Sequence, residues 1–457
     1  MLKPTGAAQI GSTAALAVLL FASVAVTPAH SETLANALAS AYNNNPTLQA
    51  QRAALRATDE NLSQALSGWR PTVALSGSWG QKRVSSRTVK DVSLGQRTAQ
   101  LSVDQPLYSG GRTVSATEQA DSLINAGRSQ LASVEQNILL SVATSFMNLL
   151  RDQAVLELNI NNVNVLKKQL SATRDRFEVG EITRTDVAQA EARVAGAVSQ
   201  QVQSDGSLKL ARAAYKSVVG QAPGQLQKPL PLESMPGSEA IALELALENN
   251  PALKTAEHNE AASNHAVRTA WGALLPSVAL SGDLTKAEDS TSRGSSTDSA
   301  FIGVSVSIPL YQAGGAYSSL RQSRYSNSQQ RILVERAHRD LREQVTQAWE
   351  RLTTARATKV ARAAQVRAAG IALEGVQQEL AVGSRTTLDV LDSEQELLDG
   401  QVALVVAERD EFVASFDLVA AMGGLTAQSL GLAVNLYDPT KSYERAKSAW
   451  FGAKVDE

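Results

Sequence analysis

The spacing of apolar residues along this chain alternates between two periods. Over 139–177 and 341–380 most residues at alternating intervals of three and four are apolar, which is typical of a coiled-coil helix. Long helices are predicted at about 112–177 and 315–380. Proline is absent from residues 107–222 and 310–438. Because a proline inside a helix costs about 3 kcal/mol, each segment can remain helical over about 100 Å. Shorter helices are predicted at 34–68, 184–219, 240–273 and 386–422.

Between the predicted helices the apolar spacing changes to a period of two, which predicts strands. Val73, Leu75 and Trp79 alternate with small or polar residues, and four such strands form two hairpins at about 71–107 and 276–310. Alternation of this kind fits two structures. One is a sheet that covers a soluble core, and the other is a transmembrane β-barrel.

Two features favour the barrel. The strands are close to the ten residues that cross a membrane, and Tyr108 and Tyr311 stand where strand gives way to helix, at the level of an interfacial aromatic girdle. Four strands cannot close a barrel, and lipid does not tolerate open sheet edges. The chain must therefore associate, with totals of 8, 12 or 16 strands for two, three or four copies. The pattern alone leaves that number open.

The mature chain contains an internal repeat. The Asn-Asn-Pro sequence of 44–46 recurs at 249–251, and residues 71–77 match 276–282 at the same distance along the chain. Ordered matches of this kind indicate a duplicated structural unit. The predicted divisions are a signal peptide (1–31), a first repeat (32–220), a linker or equatorial region (221–237), a second repeat (238–423) and a C-terminal tail (424–457).

The N-terminal residues have the pattern of a secretory signal. Lys3 precedes an apolar run at 14–26, and the small residues Ala29 and Ser31 place a cleavage site before Glu32. An uncleaved anchor is the alternative, although the run is short for a membrane span. The sequence therefore predicts export.

The composition of the chain argues against several classes of function. The 457 residues include no cysteine, which excludes disulfides and thiolate chemistry, and a net charge of −2 argues against a nucleic-acid partner. The histidines of the mature chain, His258, His265 and His338, lack the i, i+4 spacing of a zinc pair, and no nucleophile or phosphate-loop motif occurs. We expect no catalytic residue, no metal and no cofactor.

One motif is doubled. Val-Gly-x-x-Thr-x-x-Asp-Val occurs at 179–187 and again at 382–390. With the signal peptide and the duplicated helix–hairpin–helix unit, these turns resemble the TolC family of outer-membrane efflux and secretion channels over residues 32–440. The tail at 436–450 is similar to that of the BepC-type branch. The absence of cysteine excludes the lipid-anchored branch.

The resemblance implies a mainly α-helical chain that also carries a transmembrane β-barrel. Three chains would close a 12-stranded barrel in the outer membrane and a 12-helix tunnel in the periplasm. A periplasmic adaptor and an inner-membrane pump of the RND or ABC type would be its partners, and the homotrimer would be a passive duct for drugs, toxic compounds or proteins. The alternative is a soluble periplasmic coiled-coil scaffold without a pore.

The resemblance also assigns roles at the two doubled turns. It implies an adaptor-docking tip formed by Val179, Gly180, Thr183, Val382, Gly383 and Thr386. It implies a periplasmic gate formed by Asp186, Arg385, Asp389 and Asp392. The tyrosine that usually accompanies the latch is replaced by Leu380.

The gate residues also have a physical interpretation of their own. Asp389 and Asp392 are three residues apart and share a helix face. Three chains would place six carboxylates in one ring, which favours cations, and Arg385, four residues before Asp389, can offset their repulsion. The alternative is that each is a solvated surface charge, worth at most about 1 kcal/mol.

Overall fold

The chain is described by a computed structural model over residues 32–85, 91–232 and 235–455. The predicted signal peptide lies outside the described residues. The helices are α1 (Leu34–Asn44), α2 (Pro46–Leu66), α3 (Arg112–Glu178), α4 (Arg184–Val219), α5 (Glu239–Asn249), α6 (Pro251–Gly272), α7 (Gly315–Ala381), α8 (Thr387–Ala421) and α9 (Thr440–Ser448). Both α3 and α7 contain 67 residues, so each extends for about 100 Å. The prediction of two very long helices is confirmed.

The strands form one antiparallel sheet in the order β1 (Thr72–Val84), β2 (Val92–Ser109), β3 (Ser277–Glu288) and β4 (Ser296–Ser307). The two hairpins join through β2 and β3, where Leu101 pairs with Leu284. A register shift between Pro106 and Tyr108 bends the end of β2 beside the helices. The mainly α-helical fold with four strands per chain agrees with the sequence prediction.

The outer strands of the sheet expose their apolar side chains. Trp79 on β1 is 79% exposed and Ile302 on β4 is 78% exposed. Among the described strands β1 pairs only with β2, and β4 only with β3. Both edges of the sheet therefore present unpaired backbone groups. Among the helices of the described residues, none is both long enough and apolar enough to span a membrane.

The hydrophobic core lies where the shorter helices pack against the long ones. In the first half Val142 and Phe146 of α3 pack with Tyr215 of α4, and the side chains of α1 cover them. In the second half Val345 of α7 packs with Leu418 of α8 beneath α5. These two clusters fix the middle of the helical bundle, from which the sheet extends at one end and the helical turns at the other.

The predicted uninterrupted helices over 34–68 and 240–273 are wrong, because each breaks at an asparagine of the repeated Asn-Asn-Pro sequence. Asn45 has an extended backbone, and its side-chain oxygen accepts a hydrogen bond from the Thr47 N–H at 2.9 Å. Asn250 accepts from the Ala252 N–H at 2.9 Å in the same way. The proline that follows each asparagine occupies the first position of the next helix, where no N–H is required.

The same asparagines also bind the ends of helices that are distant in sequence. The side-chain amide of Asn45 donates to the Val218 carbonyl at 3.0 Å, and that of Asn250 donates to the Ala421 carbonyl at 3.0 Å. Both carbonyls belong to the last turn of a helix and have no partner within it. Each repeat thus ties its first helix pair to the C-terminal end of its last helix.

Candidate functional site

The two doubled turns join α3 to α4 and α7 to α8 at the end of the bundle remote from the sheet. Gly180 and Gly383 have φ values of +81° and +78°, a conformation that favours glycine. Their N–H groups donate to the Phe177 and Leu380 carbonyls, both at 3.0 Å. The preceding residues, Val179 and Val382, are exposed. Each turn therefore presents an isolated apolar side chain at the distal end.

Each turn continues into a capping box that starts the next helix. Thr183 accepts from the Asp186 N–H at 3.4 Å, and the Asp186 carboxylate accepts from the Thr183 N–H at 2.9 Å. Thr386 and Asp389 make the same pair of bonds at 3.3 and 2.8 Å. Two of the predicted gate aspartates thus organise the first turn of α4 and of α8.

These bonds hold the carboxylates in the ionised form. The pKa of Asp389 lies below its ordinary value, chiefly because the Thr386 backbone N–H and hydroxyl donate to the carboxylate, with a smaller contribution from Arg385. The pKa of Asp186 is lowered by the equivalent bonds from Thr183. Both aspartates therefore carry a negative charge at neutral pH.

The structure pairs Asp392 with a residue that the sequence analysis did not identify. The guanidinium of Arg193 on α4 forms an ion pair with the Asp392 carboxylate on α8. Next to it Leu391 of α8 is buried in a cluster with Val163 and Ala190 of the first helical pair. Arg193 is 199 residues from Asp392 in sequence and lies on a different helix, so no spacing along the chain indicates this pair. The tip of α8 is thereby attached to the α3–α4 pair.

Arg385 forms an ion pair with a residue that precedes the same turn. Its guanidinium donates to Glu379 at 2.8 Å. The pKa of Arg385 is raised, first by that hydrogen bond and the Glu379 charge and then by Asp389. Within one chain Arg385 lies near Asp389, and the Asp186 carboxylate accepts a hydrogen bond from the Thr183 hydroxyl. Glu379 is a second residue that the sequence analysis missed.

Aromatic side chains collect at the opposite, sheet-bearing end. Tyr108 lies on β2 opposite Val278, and Tyr311 follows β4; both are exposed. Trp69 and Trp271 end the helical segments that precede β1 and β3, and both are also exposed. The two predicted interfacial tyrosines therefore stand near the exposed Trp69 and Trp271, where helix and strand meet.

Comparison with known proteins gives one family. The model of the family described as "Outer membrane efflux protein" matches residues 37–221 and 242–424. The outer membrane efflux protein BepC of Brucella suis biovar 1 is 35% identical over 446 residues, which cover 97% of each chain. The outer membrane protein TolC of Vibrio cholerae serotype O1 is 27% identical and covers 90% of this chain and 96% of its own.

Solved structures show the same fold. The outer-membrane channel OprN has a TM-score of 0.77 at 21% identity, with 86% of this chain and 90% of that chain covered. The outer membrane protein VceC of Vibrio cholerae has a TM-score of 0.75 at 21% identity, with 85% and 96% covered. With the family match over both repeats, these findings show that the chain belongs to the outer membrane efflux proteins, the family of TolC, and resides in the outer membrane.

Proposed function

We propose that three copies of this chain form an exit duct that carries compounds passively from a periplasmic adaptor and an inner-membrane pump to the outside. The observation that carries the proposal is the sheet with two unpaired edges and exposed apolar side chains. Such a sheet is stable in lipid only when other strands pair with β1 and β4. Three copies supply 12 strands, an even number within the range of outer-membrane barrels.

The helices support a tunnel below this barrel. The pairs α3–α4 and α7–α8 extend away from the sheet and end at the two capped turns. A length of about 100 Å brings the turns deep into the periplasm when the sheet lies in the outer membrane. We assign the two repeats, 32–220 and 238–423, to this barrel and tunnel. The linker 221–237 and the first part of the tail, 424–437, surround its middle, where Glu32 bridges to Leu226, and the rest of the tail continues toward the sheet.

The distal turns are the proposed contact with the adaptor. The exposed side chains Val179 and Val382 offer apolar contacts, and Gly180 and Gly383 leave space beside them. The threonines that cap the next helices, Thr183 and Thr386, complete the docking tip. An adaptor that binds here joins the duct to an inner-membrane pump of the RND or ABC type.

The same end is the proposed gate. Asp389 and Asp392 contribute two carboxylates per chain, and Asp186 and Arg385 flank them. Each Asp392 is held to the other helical pair by Arg193, so an outward movement of α7 and α8 at the tip has to break that contact.

The pump supplies the energy for transport, and the pump also selects between small compounds and proteins. The relatives include efflux proteins and the alkaline protease secretion protein AprF of Pseudomonas aeruginosa.

The trimer is tested by disulfide cross-linking, for which the absence of native cysteine is an advantage. Ser76→Cys on β1 is combined with Ser305→Cys or Ser307→Cys on β4. Within one chain these strands are three spacings apart, about 14 Å, which is too far for a disulfide. Oxidation in the membrane should give a ladder that ends at three chains.

The single-cysteine variants are the matched controls and should give dimers at most. A ladder that ends at two or four chains contradicts the trimer. Planar-bilayer recording of the purified assembly then tests the pore. Absence of conductance from a cross-linked trimer would contradict the proposed duct and favour the alternative, a coiled-coil scaffold without a pore.

A further inference from the structure

The end of the chain follows α2 from the middle of the bundle to the sheet. The Tyr437 N–H donates to the Tyr42 hydroxyl at 3.0 Å, near the start of α2. The Arg70 guanidinium, at the other end of α2, donates to the Ala449 carbonyl at 2.6 Å. Residues 437–451, the C-terminal strap, therefore run parallel to α2. They end beside Arg70, which lies two residues before the start of β1.

The C-terminal strap is attached along its length by polar contacts. The Ser442 hydroxyl donates to the carboxylate of Asp59, which is buried in α2. The Tyr443 hydroxyl donates to Asp121 of α3 at 2.9 Å, and the Arg128 guanidinium lies 5.1 Å from the Tyr443 ring. Contacts to two different helices fix both the path and the rotation of α9.

The last two residues of this attached strap are large aromatic residues that are exposed. Trp450 is 61% exposed and Phe451 is 94% exposed. The Arg70 guanidinium lies 4.8 Å from the Trp450 ring, which holds the indole at the sheet end of α2. Lys447, one turn earlier, adds a second cation. Large aromatic side chains beside cations are typical of segments that lie at a membrane surface, because the rings enter the headgroup region and the cations meet lipid phosphates.

The position along the bundle agrees with a membrane surface. Trp450 lies beside Arg70, which is adjacent to the exposed Trp69 and precedes β1, at the end of the sheet that also carries Tyr108 and Tyr311. If the sheet spans the outer membrane, as the proposed function requires, this level is the periplasmic headgroup region. A lipid surface is continuous with that aromatic level, and it satisfies both the exposed rings and the cations.

We propose that the C-terminal strap is an interfacial anchor that inserts Trp450 and Phe451 into the periplasmic leaflet of the outer membrane, where Arg70 and Lys447 contact phospholipid phosphates. Each chain of a trimer would contribute one anchor. The ring of three would hold the helical tunnel at a fixed angle to the membrane just below the barrel.

The test uses full-length protein in nanodiscs of phosphatidylethanolamine and phosphatidylglycerol, with acyl chains either ordinary or brominated near the headgroup. Bromine quenches tryptophan at short range. The difference in emission between the parent protein and Trp450→Phe isolates Trp450. The difference between the parent and Trp79→Phe isolates Trp79, which lies on β1 and reports whether the sheet is in lipid.

We expect brominated lipid to cause a loss of both difference signals, and aqueous acrylamide to have little effect on either. In an Arg70→Gln background the Trp450 signal should lose less intensity in brominated lipid than it does in the parent, while the loss of the Trp79 signal should be the same as in the parent.

Quenching of Trp450 by acrylamide and not by brominated lipid overturns the anchor. Protection of Trp450 from both quenchers overturns it too, because a neighbouring chain then covers the indole. If Trp79 is not quenched by brominated lipid, the proposed membrane-spanning sheet fails instead.

Discussion

The ion pair between Arg193 and Asp392 is the contact whose removal should most directly loosen the tip. It joins α4 to α8, whereas the neighbouring Arg174–Glu191 pair joins α3 to α4 within one helical pair. Opening of the tip by movement of α7 and α8 breaks the first pair and leaves the second intact. Arg193→Ala should therefore favour the open state, and Arg174→Ala, at a similarly exposed pair, is the matched control.

The expected size of the effect of Arg193→Ala follows from the exposure of the two paired side chains. The side chains of Arg193 and Asp392 are 39% and 56% exposed, and ion pairs in such positions contribute about 0.2–1 kcal/mol. If three copies open together, the trimer loses about 0.6–3 kcal/mol. That loss corresponds to an increase in the open-to-closed ratio of between about threefold and about a hundredfold.

The assay is planar-bilayer recording of purified trimers at low and high salt. The open fraction of Arg193→Ala should exceed that of the parent at low salt, and the difference should shrink at high salt because exposed charges are screened. The exchange Arg193→Asp with Asp392→Arg should restore closure. Equal open fractions for Arg193→Ala and Arg174→Ala, or no recovery in the exchanged pair, would refute the reasoning.

Three further predictions concern the tip and the helix breaks. Asp389→Ala with Asp392→Ala should reduce cation selectivity and block by divalent cations in bilayer recordings, and unchanged selectivity would remove both residues from the gate. Because the folded-state pKa values of Asp186 and Asp389 lie below the ordinary value of 3.8, their stabilisation is present above that pH and is lost as the pH falls through the lowered values. The open fraction should therefore rise in that acidic range, less steeply in Asp186→Asn with Asp389→Asn; an equally steep rise would contradict the capping account. Asn250→Ala should lower the free energy of unfolding by about 1–3 kcal/mol, since a helix cap and a buried hydrogen bond are both lost; denaturant unfolding measures this against the exposed control Asn249→Ala, and equal stability of the two variants would contradict it.

Much of the fold was predictable because its signals are local. The heptad spacing and the long proline-free segments set the bounds of α3 and α7 to within a residue or two, and the period of two located the strands. The breaks at Asn45 and Asn250 also have a local signal, a capping asparagine followed by a proline, which the predicted helices 34–68 and 240–273 do not take into account. The doubled Val-Gly-x-x-Thr-x-x-Asp-Val motif predicted both distal turns for the same reason, since a glycine and a capping box act within nine residues.

Partners distant in sequence required the tertiary structure. The predicted gate groups Asp392 with Asp186, Arg385 and Asp389, whereas its partner in the structure, Arg193, is 199 residues away in sequence. The path of the C-terminal strap, fixed where Ala449 meets Arg70, was not visible either, because no spacing along the chain records which helix packs beside which. The sequence by itself determined the elements, the repeat and the family. Only the tertiary structure decided the pairing of β2 with β3, the attachment of α8 to α4 and the position of Trp450 beside the sheet, because these depend on contacts that form after the helices pack.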